Sequence, residues 1–97
     1  MRIEVLDQAE DDLIEGFRFY EAQQPGLGSY FLVNLYGDIE SLRLHGGMHR
    51  KVHRGYHRLL SRRFPFAVYY KVLGDAVFVH AVLDCRRDPA WIRKRLK

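Results

Sequence analysis

The sequence predicts an α+β fold, with an N-terminal strand and a helical hairpin packed on a mainly antiparallel β-sheet and a short C-terminal helix. Three observations predict it. Apolar residues recur with helical spacing through the first half of the chain. The second half holds alternating strand-like runs, two of them joined by Gly74-Asp75, and Asp88-Pro89 opens a last helical segment. Helices in one run followed by strands in another favour helices on one face of an antiparallel sheet, with the other face at least partly open.

Residues 2–6 read as a short strand. Asp7 stands three residues before Glu10, the spacing of a capping box, ahead of Leu13, Phe17 and Tyr20 at i, i+4 and i+7. Pro25-Gly26 ends that helix by Gln24. A second helix is predicted from about Gly28 to Leu44, with Phe31, Leu35, Ile39 and Leu42 on one face and Leu32 and Tyr36 beside them. Gly46-Gly47 stops it, and residues 45–55 read as an irregular basic loop. Three strands follow, at 56–62, 66–73 and 76–83. A glycine-led two-residue turn at Gly74-Asp75 suits type II′ and makes the last two a hairpin. Val77, Val79, Ala81 and Leu83 are expected on one face, towards the core, with Phe78 and His80 on the other. Asp88 is an N-cap with proline at the first helical position, leading into Trp91, Ile92 and Leu96.

The 97 residues allow one domain, and 47% hydrophobic content is ample for a core. No apolar run approaches the ~20 residues of a membrane helix, and the acidic start of the chain is not a signal peptide. The single cysteine, Cys85, has no internal disulfide partner, so a cytoplasmic location is expected. The net charge of +4 is unevenly spread. Residues 1–40 hold two basic and nine acidic side chains, and residues 41–97 hold fourteen basic and three acidic. Such segregation points to a basic surface that meets an anionic or acidic partner.

Against that frame of elements, the block Leu59-Leu60-Ser61-Arg62-Arg63-Phe64-Pro65-Phe66-Ala67-Val68-Tyr69-Tyr70 resembles the RelE/ParE family of type II toxin–antitoxin toxins. So do Gly74-Asp75, the strand at 77–83 and the ending Arg86-Arg87-Asp88-Pro89 with Trp91, and the resemblance covers essentially the whole chain. It implies a growth-inhibiting toxin, neutralised by a cognate antitoxin that is acidic and helix-forming, with no cofactor and no metal. Two targets occur in the family. The RelE-like branch cleaves messenger RNA on the ribosome, and the ParE-like, plasmid-stabilising branch poisons DNA gyrase without being a nuclease.

For RNA cleavage the chain offers His80, Tyr70, Arg62 and Arg86. His80 is the strand residue whose ordinary pKa, ~6.5, suits proton transfer. Tyr69 and Tyr70 point to opposite faces, so one of them faces the core. Arg58, Arg62, Arg63, Lys71, Arg86 and Arg87 are the candidate phosphate- or target-binding groups, because guanidinium groups fork onto phosphate. The resemblance places antitoxin contacts on Leu13, Phe17, Tyr20 and Trp91. Where many relatives have a histidine-glycine pair before the two arginines, this chain has Asp84-Cys85. That removes a proton donor and introduces a carboxylate that repels RNA unless an arginine pairs with it. The thin acid–base set favours gyrase inhibition over ribosome-dependent mRNA cleavage, and a non-toxic RNA- or partner-binding scaffold is the third reading. His45, His49, His53 and His57 recur every four residues, but the glycines among them argue against a helical metal site. The functional readings share one premise: the strands after residue 55 present clustered guanidinium groups outward.

Overall fold

A computed structural model describes residues 1–97. Its strand β1 is Arg2–Val5, followed by helices α1 (Asp7–Gln23), α2 (Leu27–Glu40) and α3 (Leu42–His45). Strands β2 (Lys51–His53), β3 (Tyr56–Leu60), β4 (Phe66–Leu73) and β5 (Ala76–Asp84) lead to helix α4 (Pro89–Arg95). The five strands form one sheet in the order β1-β5-β4-β3-β2, parallel only between β1 and β5. The α1–α2 hairpin packs on one face of the sheet, and α4 lies on part of the other.

Local chemistry explains most of these boundaries. Asp88 caps α4 by accepting from the backbone N–H of Ala90 at 2.9 Å, with Pro89 at the first turn. Gly74 has φ +58 and Asp75 does not have a positive φ, as a glycine-led type II′ turn requires. The α1–α2 connection is held by Glu21, whose carboxylate accepts from the N–H groups of Gly26 and Gly28. Gly28 is also a steric requirement, since a Cβ there would stand 2.7 Å from the Phe17 carbonyl oxygen. The Phe31, Leu35, Ile39 and Leu42 face is buried as predicted, each such side chain contributing roughly 1.5–3 kcal/mol.

Four expectations need correction. The helix α1 begins at Asp7 itself, with Leu6 as its N-cap, so no Asp7 side-chain capping box forms. The second helix breaks at Ser41, whose hydroxyl donates to the Asp38 carbonyl oxygen, leaving α3 as a separate turn. The basic loop contains a strand, β2, which extends the sheet beyond β3. Most consequential is β5. Tyr70 pairs with Val79 while adjacent Tyr69 pairs with Ala81, so His80 is an unpaired bulge residue. The bulge reverses the faces beyond it. Val77, Val79 and Val82 pack beneath the helical hairpin, whereas Ala81 and Leu83 pack beneath α4 with Tyr56, Ala67, Tyr69 and Leu96.

Beyond the end of β1, the edge of β5 is closed by a side chain. Asp12 of α1 accepts from the Val82 N–H at 3.0 Å and takes both arms of the Arg95 guanidinium at 2.8 and 2.9 Å. Asp12 is 6% exposed, and one carboxylate thereby joins α1, β5 and α4. Asp12→Ala is expected to destabilise the fold by about 3 kcal/mol, because it leaves Arg95 and a strand N–H unpaired. Chemical denaturation of Asp12→Ala, Arg95→Ala and the double variant checks this, and the double variant should lose less than the two single losses combined.

Candidate binding face and grooves

The Arg-Arg-Phe-Pro-Phe block is a structural anchor with a cationic tip. Phe64 and Phe66 enter an aromatic cluster with Tyr20 and Phe31, at ring-centroid separations of 4.9 Å for Tyr20–Phe64 and for Phe31–Phe66. Anchored in this way, the β3–β4 connection turns Arg62 and Arg63 into solvent on the helix side of the sheet. There they line a groove of about 690 Å³ with Val33, Gly37, Asp38 and Met48. Arg58 and Arg87 go elsewhere. They line a groove of about 340 Å³ on the opposite face, between the outer strands and α4.

This outer groove combines three guanidinium groups with an apolar floor. Arg58, Arg87 and Arg93 surround Leu60, Ile92 and Leu96, and no carboxylate lines it. Arg87 is held by stacking on Trp91, its guanidinium carbon 3.7 Å from the ring centroid. Tyr69 also lines it, and burial pushes the Tyr69 hydroxyl up from its ordinary pKa while nearby Arg58 pulls it down. Cys85 sits at the edge, its thiol pushed up by burial and only partly lowered by Arg58, which makes it a poor nucleophile. The arrangement binds anions attached to an apolar body.

The candidate cleavage set does not assemble. Tyr70 is the inward tyrosine, 0% exposed, and its hydroxyl donates to the Gly46 carbonyl oxygen at 2.6 Å. Burial pushes it up to about 12, so it neither reaches RNA nor gives up its proton. Arg86 donates twice to Asp84, at 2.7 and 3.0 Å. These bonds hold the Asp84 carboxyl below its ordinary range and occupy the Arg86 guanidinium. Arg62 lies on the other side of the sheet from His80. The guanidinium groups are thus exposed but divided between two grooves and one ion pair. The candidate antitoxin contacts separate too. Leu13 is 1% exposed and Tyr20 8%, both core residues unable to meet a partner, while Phe17 and Trp91 are half-buried.

His80 does reach the open sheet face. Its ring meets Tyr56 edge-on at 5.1 Å, and the Lys71 ammonium lies 4.4 Å from the Tyr56 ring centroid. The histidines at 45, 49, 53 and 57 fall on α3, a loop, β2 and β3, and no three His, Cys, Asp or Glu side chains come together as metal ligands. Sequence reasoning missed Arg93 and Asp12. Arg93 was hidden in a run of solvated helix-end charges, and Asp12 carries no local signal for a partner 83 residues away.

Comparison with known proteins comes down to shape. No family model matches the chain, and no curated protein matches its sequence. A solved structure described as the chromosomal ParDE TA system from P. aeruginosa contains a chain that superposes with a TM-score of 0.77. The match covers 84% of this chain and 92% of that one at 19% identity. The chain shares that ParDE fold. No helix of the chain is long and apolar enough to cross a membrane.

The His80 environment generates a pH prediction. Burial, then the Lys71 charge, lowers its pKa below the ordinary histidine value. The unfolded chain therefore binds the proton more readily, and stability present above pH ~6.5 is lost as pH falls through the lowered folded value. Urea unfolding of His80→Gln between pH 5 and 7.5 should show a flatter acid limb than the natural sequence (pH values on the scale of the free imidazole, ~6.5).

Proposed function

We propose that the chain is the toxin of a type II toxin–antitoxin module, a growth inhibitor neutralised by a cognate antitoxin, and that it acts by binding DNA gyrase. The likeness of its fold to a ParDE TA chain supports the toxin reading. The gyrase reading rests on the outer groove. Arg58, Arg87 and Arg93 over an apolar floor suit a protein surface with acidic side chains, whereas the groups offered for RNA cleavage are buried, paired or on opposite faces. Inhibition by occupancy needs a complementary surface and no proton relay. Asp7, Glu10 and Asp11 on α1 are exposed and do not line this groove, while Glu15 shares a neighbouring pocket with Arg87 and Trp91.

Induction without a partner should stop DNA synthesis before protein synthesis, followed by separate labelling of the two. Purified protein should inhibit gyrase supercoiling. Arg58→Glu with Arg87→Glu, both at exposed positions, should raise the inhibitory concentration by about tenfold or more without altering the circular dichroism. Full inhibition by that double variant excludes the groove as the gyrase contact.

One observation favours a second reading, ribosome-dependent mRNA cleavage: His80, Lys71 and Tyr56 gather on the open sheet face. That reading requires cleaved translated messages after induction and their disappearance in His80→Gln. Intact messages during growth arrest exclude it.

A further inference from the structure

Helix α2 turns to solvent a face that its own fold does not explain. Phe31, Leu35 and Ile39 on its inner side pack into the core. The outer side exposes Tyr30 at 45% and Val33 at 72%, and Leu44 of α3 continues the stripe at 83%. Solvated helices ordinarily carry charge on this side, but the only charges of α2 are Asp38 and Glu40. Gly37 stands at the centre of the stripe. A Cβ there would meet nothing within 4 Å, unlike Gly16 and Gly28, which lie against Phe31 and Phe17. Alanine is a better helix former, so this glycine costs stability without serving any contact inside the chain. Its physical gain is bare backbone that another helix can approach closely.

Charges of both signs flank the stripe. The Asp38 Oδ2 atom is buried and has no hydrogen-bond partner. Arg62 and Arg63 line the same groove, and the four ion pairs of the structure involve neither. Buried polar atoms are almost always satisfied, so an orphaned carboxylate oxygen beside a partner-free helix face asks for a donor from outside the chain.

The geometry points to a second copy of this chain as the occupant, with α2 lying antiparallel on α2 of its partner about a two-fold axis at Gly37. Residues equidistant from position 37 then meet. Tyr30 of one copy lies over Leu44 of the other, Val33 meets Ser41, and the two glycines face each other. A two-fold contact must be self-complementary, and this stripe is: its apolar ends cover each other and its small centre lets the backbones close. Because the axis runs across the helices, both grooves fall on the same side of the pair. Arg62 and Arg63 of each copy thereby come opposite Asp38 of the other and supply the missing donor. From Tyr30 to Leu44 the stripe is about 21 Å long at the rise of a helix, and the groove beside it widens the surface that a second copy can cover. This inference is independent of the toxin reading and uses a face other than the outer groove.

Sedimentation equilibrium of the full chain tests it. The expected result is a concentration-dependent dimer of twice the 11.5 kDa chain mass. Val33→Glu and Leu44→Glu, at exposed positions, should give monomers that melt like the natural chain diluted below its dimer dissociation constant. Gly37→Ala should melt at the same or a higher temperature as a monomer while its dimer dissociation constant rises at least tenfold, a combination that a purely structural role for Gly37 does not produce. Arg62→Glu with Arg63→Glu should weaken the dimer, and adding Asp38→Arg should restore part of it. A chain that is monomeric throughout its soluble range overturns the proposal, as does a dimer that survives Val33→Glu. A monomer whose Val33→Glu variant instead loses binding to a different protein assigns the face to that protein and also overturns it.

Discussion

The carboxylate of Asp12 sits where three parts of the chain would otherwise separate. Beyond Val5 the sheet has no further strand beside β5, and the Val82 N–H would face the interior unpaired. Asp12 supplies the missing acceptor, and its charge then recruits Arg95 from the far end of the chain. Desolvating this pair is costly, and the bidentate geometry together with the strand N–H offsets that cost. Fixing Arg95 sets α4 across the sheet. Leu96 then reaches the second core with Tyr56, Tyr69 and Leu83, and the outer groove gains its second wall.

Burial within the chain decides which candidate residues are free to act. The cost of leaving aromatic surface in water draws Phe64 and Phe66 into the hairpin core and leaves their neighbours Arg62 and Arg63 outside. The same reasoning removes Tyr70, whose hydroxyl is spent on a loop carbonyl. It also separates Arg86, neutralised by Asp84, from Arg87, which stacks on an indole and keeps its charge available. The arginines of two paired motifs thus have three different fates.

The order of elements was legible in the sequence because it follows from local signals. The helical spacing through Leu13 to Ile39, the glycine-led turn and the Asp-Pro cap each act within a few residues. Burial of the α2 inner face followed directly from that spacing. The candidate site was less legible, for a reason that lies in β5. Strict alternation assigns Ala81 and Leu83 to the face of Val77, and one extra residue at His80 sends them to the other. Nothing in Ala-Val-Phe-Val-His-Ala-Val-Leu announces where a strand takes up that residue. Short β2 was hidden by its glycine-flanked, charged composition, since edge strands need little apolar surface. Pairings such as Asp12 with Arg95 depend on the assembled fold alone.

The chain contains one tryptophan, and its indole is flanked by cations, with Arg87 at 3.7 Å and Arg95 at 5.7 Å from the ring centroid. Arg95 also grips Asp12, and Arg87 borders the outer groove. Trp91 is therefore a built-in optical reporter. Its emission registers whether the last helix is seated and whether an arginine of the groove has been drawn away, with no label introduced into either face.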